Sequence, residues 1–369
     1  MLDSVRLINF KIFADQTIPL APLTLLSGLN GAGKSSAMQA LSLLRQSYDS
    51  GLLREHGWLL NGELVEVGAG EDVLHENASS SRLAIELGES GQSAKWEVDY
   101  VREGDVLRYP DGNDEGRPAD GDGVLFGNGF QYLRADRVNP MVSYPKSFHA
   151  VSQRRFLGSR GEYAAHFLSL YQDEPIRDDS LKHPDSNATS GLLAQVNAWM
   201  QEFSPGATIN VHEIEKTDFV RLSYTFGSGI DSSNPYRPTN VGFGLTYSLP
   251  VVIACLSTAS GGIVLMENPE AHLHPQGQVA MGRLMALTAA VGVQVVVETH
   301  SDHVLNGIRI AVKQGVLPPG DSLVHFFRRD AATGAAAIDS PAINEQGRLS
   351  FWPDGFFDQW DKSLDELLD

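Results

Sequence analysis

The stretch Gly28-Leu29-Asn30-Gly31-Ala32-Gly33-Lys34-Ser35 carries the strongest chemical signal in this chain. It has the G-x-x-x-x-G-K-[ST] spacing known as Walker A. Glycines let successive backbone N–H groups turn inward around a phosphate. A helix starting behind them adds the positive end of its dipole. Lys34 is then placed to reach β- and γ-phosphates, and the Ser35 hydroxyl to ligate Mg²⁺. Asn30, Gly31, Ala32, Gly33, Lys34, Ser35 and Ser36 are therefore the candidate nucleotide-binding residues, with ATP and Mg²⁺ as the implied cofactors.

Two further runs place chemistry at strand ends. Ile263-Val264-Leu265-Met266 is an apolar strand that ends on Glu267, the Walker B pattern, in which the acid holds Mg²⁺ directly or through water. Alone it is a weak signal; paired with Walker A it is strong. Val293 to Glu298 reads as a buried strand that delivers Thr299 and His300 to its end. Open α/β sheets bind ligands at that end, so His300 is a candidate contact to the γ-phosphate or the attacking water. The plainer alternative is a histidine that caps the next helix.

The elements that must position these residues are legible in outline. Residues 2–27 read as strands, and a helix is expected from about 35 to 47, with Met38, Leu41 and Leu44 at core-facing spacing. Residues 80–135 look β-rich, with alternation at 82–87 and 96–101. The Gly- and acid-rich stretch 109–123 reads as an exposed or partly disordered loop. Residues 160–205 read as helical, best at 163–171 and 190–203 with a polar loop at 177–187, and 209–226 return to strand. From 241 onward the order helix, strand, helix, strand, helix is a doubly wound α/β signature.

Here a family resemblance enters. Walker A, a long insertion, Walker B and a His-bearing loop, in that order, resemble the ABC-type ATPases. Leu7-Ile8-Asn9-Phe10-Lys11 ahead of Walker A resembles the opening of RecF and SMC proteins. Glu267-Asn268-Pro269-Glu270-Ala271-His272-Leu273-His274-Pro275 resembles the E-x-P-E-x-H-L-H-P run of OLD-like ATPases, and Thr299-His300-Ser301 resembles their switch loop. Trp352-Pro353-Asp354-Gly355-Phe356-Phe357 resembles the end of a small prokaryotic group with a short C-terminal domain of unknown function. The resemblance covers residues 1–40 and about 240–310, more weakly 345–360. The middle is recognised only in fragments such as Tyr132-Leu133-Arg134-Ala135-Asp136-Arg137.

The resemblance implies an α/β fold, an ABC-type P-loop head with a β-rich N-terminal lobe and a helical insertion. The expected parts are 1–80 (core with Walker A), 81–235 (lobe and insertion), 236–330 (signature-like segment, Walker B, switch His) and 331–369 (aromatic and acidic segment). It also implies a homodimer that sandwiches ATP. The signature segment then falls on Asn240-Val241-Gly242-Phe243-Gly244-Leu245-Thr246, where the family's serine is missing and Gly242 or Gly244 stands near its place. Asn240 or Thr246 is the candidate for the missing polar contact; the plainer alternative is a glycine turn before a core helix. The catalytic Glu that usually follows the Walker B acid is replaced by Asn268, whose amide cannot take a proton from water. Either Glu270 substitutes, or hydrolysis is slow. No Gln is clearly placed for a Q-loop; residues 60–68 are the candidate segment.

Composition sets the remaining limits. A net charge of −18, from 28 basic and 46 acidic residues, argues against a free-standing nucleic-acid binder. The single cysteine, Cys255, lies in an apolar run and reads as a core residue. No stretch is long and apolar enough to span a membrane, and the opening residues are no signal peptide, so a cytoplasmic protein is expected. The 69 residues after His300 are too few for the Toprim nuclease that many OLD proteins carry. The expected activity is an ATP-gated dimeric switch acting on a separate effector protein, a nuclease or toxin, in antiphage defence or genome maintenance. The alternative is an ATP-gated DNA clamp with little hydrolysis.

Overall fold

Alternation in Leu2–Phe10 buries Leu2, Val5, Leu7 and Phe10 and turns Asp3 outward, as a strand with one buried face must. The computed structural model describes residues 1–111, 123–184, 188–227, 232–330 and 334–368, with backbone only at 359–362. Most of the 109–123 stretch and the end of the 177–187 loop therefore lie outside the described residues. The chain forms two units, one of Met1–Gly127, Pro319–Asn344 and Arg348–Asp369, the other of Asn128–Pro318 with Glu345–Gly347.

In the first unit Leu2–Phe10 is a central strand of a four-stranded antiparallel sheet. The order is Phe13–Pro19, Leu2–Phe10, Arg82–Glu89, Gln92–Asp99. The strand that feeds Walker A, Leu23–Gly28, pairs in parallel with Ser322–Arg329, which is flanked by the antiparallel strand Ala336–Asp339. The helix behind Walker A spans Lys34–Asp49, and Met38, Leu41 and Leu44 are all buried in it. The C-terminal aromatic run docks on this unit. Phe356 is fully buried against Phe326 and Trp352, whereas Phe351 and Trp352 stay half exposed.

The second unit holds three parallel strands in the order Phe130–Leu133, Ile263–Glu267, Gln294–Glu298. Each is short and almost wholly buried, as strands covered on both faces are. Helices Phe243–Ser257, Pro275–Ala290 and Asp302–Lys313 follow the expected alternation. The last two cross where glycines meet: a Cβ on Gly282 would lie 2.3 Å from Val304 O, and one on Gly307 2.2 Å from Val279 O. Only glycine permits that approach. Cys255 is buried in the first of these helices, and burial pushes its thiol up to about 12, as a core residue requires. The insertion contributes helices Ala164–Tyr171 and Leu192–Phe203 and a three-stranded antiparallel sheet of Ala207–Glu213, Phe219–Phe226 and Tyr144–Pro145.

Candidate functional site

The Walker A loop is built by its glycines. Gly28, Gly31 and Gly33 have φ of 136°, 73° and 110°, left-handed values that L side chains rarely adopt. Gly28 also lies against the neighbouring strand, where a Cβ would sit 2.1 Å from Phe327 O. At Gly33 a Cβ would strike the Phe13 ring at 2.5 Å, whereas the space around Gly31 is open. Leu29 N–H donates to Phe327 O, and Arg329 Nε donates to Gly31 O, so the strand Ser322–Arg329 holds the loop from the side.

No side chain caps the helix Lys34–Asp49, and no acid stands in its first turn, so its positive end is not offset locally. Lys34 Nζ folds back over the loop and donates to Gly28 O at 2.9 Å and Leu29 O at 3.0 Å. Asn30, Gly31 and Ser35 are exposed, Gly33 and Ser36 half buried, and Ala32 and Lys34 buried. An exposed hydroxyl beside a lysine and turned amides suits a phosphate carrying Mg²⁺. Lys11, from the Asn9-Phe10-Lys11 opening, donates through Nζ to Gln39 Oε1 on the same helix, and burial holds its ammonium below the usual range. Gln46 reaches from that helix to the 60–68 segment, donating to Leu59 O and accepting from Val65 N–H.

In the second unit the end of the strand Ile263–Glu267 gathers the acidic residues. Glu267 Oε1 accepts the Tyr132 hydroxyl at 2.6 Å, and its Oε2 accepts the Ala135 N–H at 3.0 Å. Each carboxylate oxygen keeps lone-pair capacity beyond its one hydrogen bond, so the group fits a hard cation such as Mg²⁺. Asn268 takes the left-handed φ of 45° and anchors its N–H on Glu298 O. Arg137, 1% exposed, donates Nη2 to Glu267 O and Nη1 to Asn268 O. Burial lowers its pKa to about 10, against the opposing pull of Glu270 and Glu267, so it is charged at neutral pH.

Glu270, the other candidate base, is buried, and its Oε2 has no hydrogen-bond partner among the described residues. It is 8% exposed, and its Oε1 accepts the His300 N–H at 3.0 Å. The helix Asp302–Lys313 is capped by Ser301, whose Oγ accepts Val304 N–H at 3.1 Å and donates to Gln278 Oε1. His300 therefore is not the cap; it stands exposed one residue earlier. Gln278 Nε2 donates to Leu273 O, tying the switch loop to the His272-Leu273-His274 turn. His272 packs on the rings of Phe243 and Tyr247, and His274 is exposed at the start of Pro275–Ala290.

The signature-like segment lies beside that turn. Gly244 backs onto it, since a Cβ there would lie 2.7 Å from His272 O. Gly242 is exposed with open space around it. Thr246 is buried, whereas Asn240 is exposed. A cavity of about 450 Å³ opens next to the segment, lined in part by Phe203, Tyr236, Asn240, Gly242 and His272. Sequence reasoning gave no role to Tyr132, Ala135 and Arg137, although it noticed their run; nothing in spacing links residue 137 to residue 267.

Comparison with known proteins bears on both units. A family model described as "AAA domain, putative AbiEii toxin, Type IV TA system" matches residues 121–306, half of the chain. A model described as AAA ATPase domain matches residues 1–95, and a protein of unknown function, DUF3696, matches 317–367. The OLD nuclease of Thermus scotoductus (strain ATCC 700910 / SA-01) is 25% identical over 328 residues, covering 82% of this chain and 59% of the relative. The chain thus spans less than two thirds of that relative's length. The crystal structure of an Smc head bound to the C-winged helix domain of ScpA matches at a TM-score of 0.52 and 13% identity, over 93% of this chain and 98% of that one. The fold is that of an ABC-type ATPase head.

Proposed function

The chain belongs to this AAA-domain family of ABC-type ATPases, and on that footing we propose that it is a slow, nucleotide-gated dimeric switch. Lys34 and the amides of Asn30 to Ser36 bind the phosphates of ATP. Ser35 and Glu267 hold Mg²⁺, which neutralises charge on the phosphates. His300 contacts the γ-phosphate or the water. Asn240 and Gly242 meet the nucleotide of a second copy, and Gly244 supports them. The dimer signals to a separate effector protein, a nuclease or toxin, in antiphage defence or genome maintenance.

One observation carries the slow switch: the residue after Glu267 is an amide, and the next carboxylate, Glu270, is buried on the His300 N–H. A base must reach the proton it takes. Exposed Asn240 and Gly242 support the dimer, since they leave a backbone surface open to close approach. Among the described residues no helix is long and apolar enough to cross a membrane.

Light scattering at micromolar protein tests the reading. ATP with Mg²⁺ should double the mass, ADP should not, and Lys34→Ala should abolish the response. A monomer in every condition would sink the switch. Tight duplex DNA binding at about 0.15 M salt, against the −18 charge, would move the reading to a DNA clamp.

A further inference from the structure

We propose that Tyr132 and Arg137 form a rigid mount for the Mg²⁺ carboxylate of Glu267, as positioning residues that never touch the nucleotide. The inference rests on the reading that Glu267 holds Mg²⁺.

A fully buried arginine needs an explanation, because desolvating a cation costs several kcal/mol and such groups are rarely buried without partners. Arg137 finds its partners on two consecutive carbonyls, Glu267 O and Asn268 O, with the charges of Glu270 and Glu267 nearby. Those carbonyls belong to the turn that leaves the Walker B strand. Asn268 makes that turn with φ of 45°, a left-handed value that asparagine tolerates better than most residues with a side chain. A planar guanidinium fork can hold two adjacent carbonyls at once, which a single ammonium cannot do in the same geometry.

The same short segment also grips the side chain. Tyr132 lies in the strand Phe130–Leu133, in parallel register beside Leu265, and its hydroxyl reaches Glu267 Oε1. Ala135 N–H holds Oε2 from the loop that follows. Backbone and carboxylate are thus both fixed by residues 132–137, from two directions. Glu267 does not have to be ordered when the metal arrives, and that ordering cost is removed from the binding free energy. Partners that orient a metal ligand in this way typically account for about 10–100-fold in metal affinity or activity.

Calorimetry of ATP binding, once with Mg²⁺ and once with a chelator, separates this role from a merely structural one. The ratio of the two affinities reads the metal's contribution alone. Tyr132→Phe and Arg137→Lys should each shrink that ratio about tenfold while the chelator affinity is unchanged. If Arg137→Lys fails to fold, Tyr132→Phe decides, since it removes one hydroxyl and keeps the ring. A wild-type ratio in a folded variant, or an equal loss in both conditions, would overturn the mount. A wild-type protein whose ATP affinity ignores Mg²⁺ would instead overturn the reading on which the mount rests.

Discussion

Glu270→Gln separates the two ways this site can treat water. Glu270 is 8% exposed, with Oε1 accepting the His300 N–H at 3.0 Å. A glutamine keeps an oxygen at that place, so a neutral hydrogen bond survives. What disappears is the charge that faces the buried Arg137. The difference between a charged and a neutral acceptor, with a buried cation left less compensated, comes to about 1–3 kcal/mol of stability. On the slow-switch reading turnover should fall less than about tenfold, because the group then acts as a link to the His300 N–H. A general base would cost about 10²–10⁴-fold, so the two ranges do not overlap. Single-turnover hydrolysis of labelled ATP, with protein in excess, reads the rate without product release. Asn268→Glu, which restores a carboxylate after Glu267, should speed the same step, at about 1 kcal/mol for a longer side chain in a left-handed position. A hundredfold loss in Glu270→Gln with ATP affinity intact would refute the reasoning and make Glu270 the base.

Three other outcomes follow from the packing. Gly28→Ala should unfold the Walker A region or abolish ATP binding, since its Cβ meets Phe327 O at 2.1 Å, whereas Gly31→Ala, in open space, should cost only about 1 kcal/mol in thermal unfolding; equal effects would contradict this. Phe356→Ala should destabilise the protein by about 3–5 kcal/mol, because that ring is fully buried on Phe326; a denaturant midpoint like the wild type's would mean the C-terminal run does not dock. His325 is buried with Nε2 on Pro19 O and Nδ1 on Ser340 Oγ, and burial lowers its pKa. Its contribution is therefore present above the unfolded value of about 6.5 and lost as pH falls below it, by up to about 1.4 kcal/mol per unit. Urea midpoints from pH 7.5 to 5.5 should fall in the wild type and fall less in His325→Gln.

What the sequence disclosed depended on how local the signal was. The Walker A loop, the helix behind it and the alternation from residue 241 are encoded by neighbours, and they lie where the spacing put them. The strand Ser322–Arg329 was not foreseen, because its meaning comes from lying beside Leu23–Gly28, far away in the chain. Arg137 was legible as part of a run but not as a clamp, since its partners are 130 and 131 residues away. Glu270 shows the opposite limit. Its place after Glu267 offered it as a base, and only its burial against His300 N–H shows it engaged elsewhere.

The central claim is that ATP holds a dimer together and slow hydrolysis releases it. The measurement that tests it loads the protein with a single equivalent of ATP and Mg²⁺, then follows phosphate release and light scattering in one sample. The account predicts that mass doubles on loading and decays with the rate constant of phosphate release, and that Glu267→Gln fails to show this cycle. A mass that never changes, or a dimer that persists unchanged after all phosphate has been released, would contradict it.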